Sequence, residues 1–311
     1  MKKIILILIP FFICNSAFAK IKIFSCEPEL TAIAREIVKD KAKIETALNA
    51  KQNPYLKVEK TSALNDKVRS ADMVFCSGLG LEDLWLPSLL KHSFNPKIKS
   101  KEAILMAFDG IGKKSEERSG SRLHLNPYNV KKVAENFLNF VSNIDVDNAA
   151  AYRYYYQNFI KDFDKVIENL EKKATPLKGK KVVMVDDKWC ELAKWLGLDI
   201  VTTIVDENGK KKNIAELAKI LKEEKVEMII YSDLDDERII YDLAAKAKVR
   251  AVLLPITNGN LVNTSTTALL FNNIVNRLLV DCSKQSCQKD FYSKSLGSYI
   301  NYDNTTTQQN Y

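Results

Sequence analysis

The stretch DNAAAYRYYYQNFIKDFDKVIENLEKKA, residues 147–174, decides how this chain is read. Its apolar side chains fall at Tyr152, Tyr155, Tyr156, Phe159, Ile160, Phe163, Val166, Ile167 and Leu170. That i, i+3, i+4, i+7 rhythm predicts one continuous helical face. Asp145 or Asp147 can cap its start, and Thr175-Pro176 stops it. A helix of about 28 residues runs on the order of 42 Å, longer than a small domain is wide. With no Gly or Pro inside, it reads as a rigid strut joining two lobes, residues 145–175. A long core helix within one domain is the plainer alternative.

On the N-terminal side, residues 20–144, short apolar runs alternate with helical patterns. Strands are expected at 21–26, 43–46, 72–76 and 103–107, and helices through Val38 and at 62–70, 81–90 and 127–140. Residues 109–121 are Gly-, Lys- and Ser-rich without periodicity and read as a mobile surface loop. On the C-terminal side, residues 176–281, the alternation restarts. Strands are expected at 181–185, 200–205, 227–231 and 250–254, with helices at 189–196, 213–223, 237–247 and 266–280. Strands of about five apolar residues separated by helices imply an α/β fold, each lobe a parallel sheet flanked by helices. The Ser-, Asn-, Gln- and Thr-rich tail, 282–311, reads as disordered, with Cys282 and Cys287 able to close a small loop in it.

Residues 1–19 read as a cleaved secretory signal: Lys2-Lys3, the apolar run Ile4 to Ile13, and the small-x-small site Ala17-Phe18-Ala19. The run is short for a bilayer span, and no later stretch reaches about 18 apolar residues. Cys14 follows the bulky Ile13, which argues against a lipid anchor. The expectation is a soluble periplasmic monomer of 292 residues (311 less 19), enough for two cores. Its formal charge drops from +8 to +6 with Lys2 and Lys3 removed, and its lysines are scattered, so nucleic acid is not an expected partner. Five cysteines remain: Cys26, Cys76, Cys190, Cys282 and Cys287. An oxidising compartment permits disulfides. Cys26 and Cys76 both end strands of the first sheet, where a disulfide would close a loop of about 50 residues and stabilise by roughly 4 kcal/mol. Soft-metal ligation by the pair beside Glu27 or Glu29, or two buried thiols, are the alternatives. Cys190 is expected to pack as a small apolar residue.

Parallel sheets bind ligands at their strand C-terminal ends, so the loops after strands are where function is sought. Those loops, and the order of elements, resemble the metal-binding receptors of bacterial ABC importers of the zinc/manganese type. The resemblance covers about Ile21 to Leu279. It rests on Phe24-Ser25-Cys26-Glu27-Pro28-Glu29, on Ala71-Asp72 through Gly78-Leu79-Gly80-Leu81-Glu82, and on Trp85-Leu86-Pro87. Leu125-Asn126-Pro127-Tyr128-Asn129 is similar to the family's Leu-Asp-Pro-x-Asn, and Lys188-Trp189 to the end of its His-x-x-Trp. The resemblance implies two lobes on one backbone helix, Zn or Mn as the ion carried, and a permease and an ATPase as partners.

It also implies a metal site, and there the chain departs from the pattern. The family-equivalent cleft positions fall on Tyr55, Arg122, Asp186 and Thr266. Only Asp186 is a conventional ligand. His124, two residues beyond Arg122, stays on the same face of an extended segment about 6–7 Å away and is the second candidate. His92 follows a helix end and reads as a surface residue. Zn²⁺ takes about four N, S or O ligands, and Asp186 with His124 and Glu27 or Glu29 is a thin set. Arg122 cannot ligate and repels cations. It either pairs with Asp186 across the cleft, or faces an anionic or chelated ligand, or is solvated at the rim.

The acidic run Asp233, Asp235, Asp236 and Glu237 reads as a helix start, with a cation site as the alternative. Ser77-Gly78-Leu79-Gly80 lacks the third Gly of a dinucleotide fingerprint. No nucleophile–base pair presents itself, so binding is expected rather than catalysis. The expected function is a periplasmic solute-binding component of a metal ABC uptake system with an atypical cleft. The alternative is a non-transporting descendant whose cleft is closed by an Arg122–Asp186 ion pair or takes an anionic or chelated ligand.

Overall fold

The computed structural model describes residues 19–52, 61–80, 82–99, 101–111, 122–206 and 209–280. The signal sequence, Tyr55, most of the 109–121 loop, and the tail with Cys282 and Cys287 lie outside the described residues.

The first lobe runs β1 (Ile21–Ser25), α1 (Pro28–Val38), β2 (Ala42–Thr46), α2 (Ser62–Arg69), β3 (Met73–Cys76), α3 (Leu86–Ser93), β4 (Ile104–Met106) and α4 (Pro127–Ile144). The second runs β5 (Lys181–Met184), α6 (Cys190–Leu196), β6 (Asp199–Thr203), α7 (Ile214–Glu223), β7 (Met228–Tyr231), α8 (Glu237–Ala247), β8 (Arg250–Leu253) and α9 (Thr267–Leu279), with α5 (Ala149–Lys173) between the lobes. Both sheets are wholly parallel, in the orders β2-β1-β3-β4 and β6-β5-β7-β8. The middle strands are near-continuous apolar runs, Met73–Cys76 and Met228–Tyr231 being buried throughout, because helices cover both faces. In each sheet the strand order reverses beside the first strand, which opens a crevice at the C-terminal ends of β1 and β3, and of β5 and β7.

The helix α5 has 25 residues, about 37 Å at 1.5 Å per residue. One face, with Ala149, Tyr152, Phe163, Ile167 and Leu170, is buried. It packs on α1 and α4 in the first lobe and on α9 in the second. Phe163 meets Phe271 at 5.9 Å, and Trp195 crosses the same ring edge-on at 5.2 Å. The strut therefore belongs to the cores of both lobes, and one apolar cluster runs from Ile23 to Leu278. Its start is not capped as expected. A 3-10 turn, Val146–Asn148, precedes it, and Asp145 instead accepts the Tyr152 hydroxyl at 2.5 Å and the Asn148 amide at 3.0 Å.

The helix expected at 81–90 begins only at Leu86. Pro87 is the reason: it fits a first helical turn and breaks an interior one.

Candidate functional site

The crevice of the first lobe is built on β1 and β3. Their registered pairing sets Cys26 beside Cys76, and the two are joined as a disulfide with Cα atoms 4.8 Å apart, both fully buried. After Cys76 the chain turns at Gly78, where φ is +77° and a Cβ would lie 2.8 Å from that of Met106; only glycine fits. The turn carries Glu82 back under β3, where it accepts the Ser77 hydroxyl at 2.8 Å and the Gly78 amide at 2.5 Å.

After Cys26 comes Glu27-Pro28-Glu29. Proline suits the first turn of α1, so the helix starts there and directs Glu29 into the space between the lobes. Glu29, Arg122 and His124 are only 4, 3 and 3% exposed. Glu29 Oε1 lies 3.4 Å from an Arg122 guanidinium nitrogen and 3.4 Å from His124 Nδ1. Its Oε2 accepts the Thr257 hydroxyl from the second lobe. His124 Nε2 donates to the Ile256 carbonyl, also in the second lobe, at 2.9 Å. A buried carboxylate thus collects one cation, one imidazole and one hydroxyl, and with His124 it joins the lobes.

Burial alone would raise the Glu29 pKa, but His124, Arg122 and the Thr257 hydroxyl outweigh it and hold the carboxyl below its ordinary range. Burial pushes His124 down, and Arg122 adds to this against the pull of Glu29 and the Ile256 carbonyl. Burial and Glu29 thus pull the imidazole in opposite directions, and Arg122 is the fixed charge beside Glu29.

Glu27 behaves in the opposite way. It is 1% exposed, and neither carboxyl oxygen makes a well-formed hydrogen bond. Burial first, then Glu82 and Glu29, drive its pKa well above the ordinary value; Arg122 and the Ser77 amide only partly oppose them. Glu27, Glu29, Arg122, Ile256 and Thr257 line an inner pocket of about 10 Å³, room for a water-sized group.

The cross-cleft pair of Arg122 with Asp186 is not formed. Asp186 begins the turn after β5, accepts Lys188 N at 3.0 Å, and lies 3.1 Å from Lys188 Nζ. Lys188 is itself tied to the buried Asp235 at 2.6 Å. A partner two residues away costs less chain ordering than one across the cleft, and Arg122 finds Glu29 inside its own lobe. Thr266 caps α9 through Leu269 N at 3.3 Å. His92 is exposed and bonds the Ser88 carbonyl. The acidic run is used residue by residue: Asp236 caps α8, Asp235 takes Ser232 and Lys188, and Asp233 takes Asn260 at 3.1 Å. Asn126 caps α4 and, with Asn129, donates to Glu191 of the second lobe at 3.0 and 3.1 Å. That pair holds the turn carrying His124 against α6.

A family model described as zinc-uptake complex component A, periplasmic (ZnuA), matches residues 23–273. The chain belongs to the ZnuA family. Among solved structures, a Cd-bound periplasmic metal-binding protein from Candidatus Liberibacter asiaticus superposes with a TM-score of 0.71 at 18% identity, covering 83% of this chain and 98% of that one. A ZnuA crystal structure gives 0.71 at 18% identity, with 83 and 99% covered. The Mn-bound form of the Liberibacter protein gives 0.71 at 17%, with 83 and 98% covered. These likenesses show the shared two-lobe fold. No curated protein matches the chain.

Among the described residues no three of His, Cys, Asp and Glu gather as metal ligands. Glu29 and His124 do meet, but Arg122 stands on the same carboxylate oxygen. Two donors beside a fixed cation do not fit Zn²⁺ as arranged. The sequence pointed to His124 and to the Glu27-Pro28-Glu29 strand exit. Thr257 and the Ile256 carbonyl lie in the loop after β8, one of the strand exits where function is sought, but no residue pattern singles them out, nor Lys188 as the partner of Asp186.

Proposed function

We propose that the chain is the periplasmic binding component of an ABC uptake system of the zinc/manganese type, serving a permease and an ATPase, with its own guanidinium standing where the ion is carried. The observation that carries this reading is Glu29: a buried carboxylate at the lobe interface, balanced by Arg122 and bonded to Thr257. Its members bind rather than catalyse. Cargo reaching Glu29 must displace Arg122 from its Oε1, while His124 can offer Nδ1 and keep the Ile256 carbonyl on Nε2, so the lobes need move only as far as Arg122 withdraws. The strut, packed into both cores, keeps that movement small.

Zinc and manganese titration of the purified mature protein tests this. Weak binding by the native chain, strengthened at least tenfold in Arg122→Ala and lost in Glu29→Gln, is the expected result. No binding by either the native chain or Arg122→Ala at micromolar metal would overturn it. A second reading would then stand: a non-transporting envelope protein that keeps the closed form. It is favoured by the bonds Glu29–Thr257, His124–Ile256 and Asn126–Glu191, which join the lobes through the protein's own atoms.

A further inference from the structure

Outside the inner pocket lies a much larger chamber on the same seam. Its volume is about 570 Å³, within the range of small-molecule sites. One stripe of α1 forms its floor: Pro28, Thr31, Ala32 and Arg35, at helical spacings of three and four. The turn after β2 and Lys67 of α2 form one wall. Asn258, Gly259 and Ser265 of the second lobe form the other. The chamber is therefore closed off only where the lobes meet.

The polar groups on these walls are unbalanced. Arg35 is exposed and makes no side-chain hydrogen bond or ion pair among the described residues. Lys67 Nζ gives one hydrogen bond to the Thr46 carbonyl at 3.0 Å and has two more to give. In the turn, Asn49 spends its side-chain oxygen on Lys51 N at 3.0 Å, and Gln52 spends its own on Asn49 N at 2.7 Å. Both leave their NH2 groups as donors. No carboxylate stands among the described lining residues. A wall with two cations and spare donors, and no acid to answer them, is complementary to an acceptor-rich anion. The cations sit on separate helices, and the volume exceeds what one small inorganic anion fills. That combination suits a molecule bearing more than one carboxylate.

We infer that this chamber is a second binding site, for a small polycarboxylate anion, with Arg35 and Lys67 as its charged anchors. Its charged anchors do not line the inner pocket, although Pro28, Asn49 and Gln52 line both. The lobes share it, so an anion bound there holds the second-lobe loop 258–265 against α1 and favours the closed arrangement.

Isothermal titration of metal-stripped mature protein with citrate, at constant ionic strength, is the test. Saturable binding is expected, weakened at least ~tenfold by Arg35→Ala, the loss of a charged hydrogen-bonding group. Lys67→Ala should weaken it similarly, and Lys161→Ala, at an exposed cation of α5 outside the chamber, should leave it unchanged. Arg35 is exposed and Lys67 half-buried with one bond to the Thr46 carbonyl, so circular dichroism checks that both variants keep the fold. No heat at millimolar citrate would overturn the inference, as would binding indifferent to Arg35→Ala. Equal affinity for inorganic phosphate would overturn the polycarboxylate assignment. The metal titration above can fail while this one succeeds, and the reverse, so the two readings are judged separately.

Discussion

Glu29→Gln is the perturbation that probes the interface most directly. The substitution keeps shape and an acceptor for Thr257 while removing the charge that balances Arg122, a side chain only 4% exposed. Breaking a buried ion pair from one side costs about 3–5 kcal/mol, because the remaining charge is stranded away from water. For a chain of this size that lowers the melting temperature on the order of 10 °C. Arg122→Met strands a carboxylate instead, which can take up a proton, so its cost is smaller. The double variant Glu29→Gln/Arg122→Met strands nothing. It should recover most of the loss, since apolar replacements of buried pairs are often near neutral. Urea unfolding of the four proteins gives the coupling directly, expected at several kcal/mol. If the two single effects add to within about 0.5 kcal/mol, Glu29 and Arg122 are not a coupled buried pair.

Two further outcomes follow from the same region. Glu27 has its pKa raised in the folded protein, so it contributes stability that is fully present below about pH 4.5 and lost as pH rises through the folded value. Glu27→Gln should therefore gain on the native protein steadily above pH 4.5, and parallel stability curves from pH 4.5 to 8 would refute this. The Cys26–Cys76 bridge spans 50 residues, so the double serine variant should lose roughly 4 kcal/mol in urea unfolding. Five reactive thiols in the denatured, unreduced mature protein would show that the bridge does not form.

The fold was legible because its signals are local. Runs such as Met73-Val74-Phe75-Cys76 and Met228-Ile229-Ile230-Tyr231 are too short for helices and too apolar for exposed strands, and helical periods lie between them. Alternation of the two leaves little besides parallel sheets. The strut showed itself through nine apolar positions in register. The expected helix at 81–90 went wrong for an equally local reason, since Pro87 in Trp85-Leu86-Pro87 marks a start rather than an interior. The cleft was less legible, because its contacts depend on how the lobes meet. Thr257 and the carbonyl of Ile256 carry no pattern that sets them apart from other loop residues. Arg122 stands out in the sequence as a cation at a strand exit, but of its readings neither the Asp186 pair nor the solvated rim is formed: Asp186 has a lysine two residues on, and Arg122 is buried against Glu29.

Arg122 beside Glu29 sets the cost of placing a second cation at that carboxylate. A carboxylate buried between lobes requires a positive neighbour, and a divalent ion or a guanidinium can each supply it. They cannot both do so at one oxygen. At about 4 Å, with the effective dielectric of a protein surface, each unit of like charge costs about 4 kcal/mol, hence about 8 kcal/mol for a divalent ion beside a fixed Arg122. That is enough to turn a nanomolar site into a millimolar one. Metal loading at this position is therefore a question about Arg122 moving, rather than about whether two or three donors are in reach. The chain has kept the two lobes, the strut and the strand exits of its family. Glu29 is balanced by a guanidinium of its own lobe, and its other oxygen takes the Thr257 hydroxyl of the second.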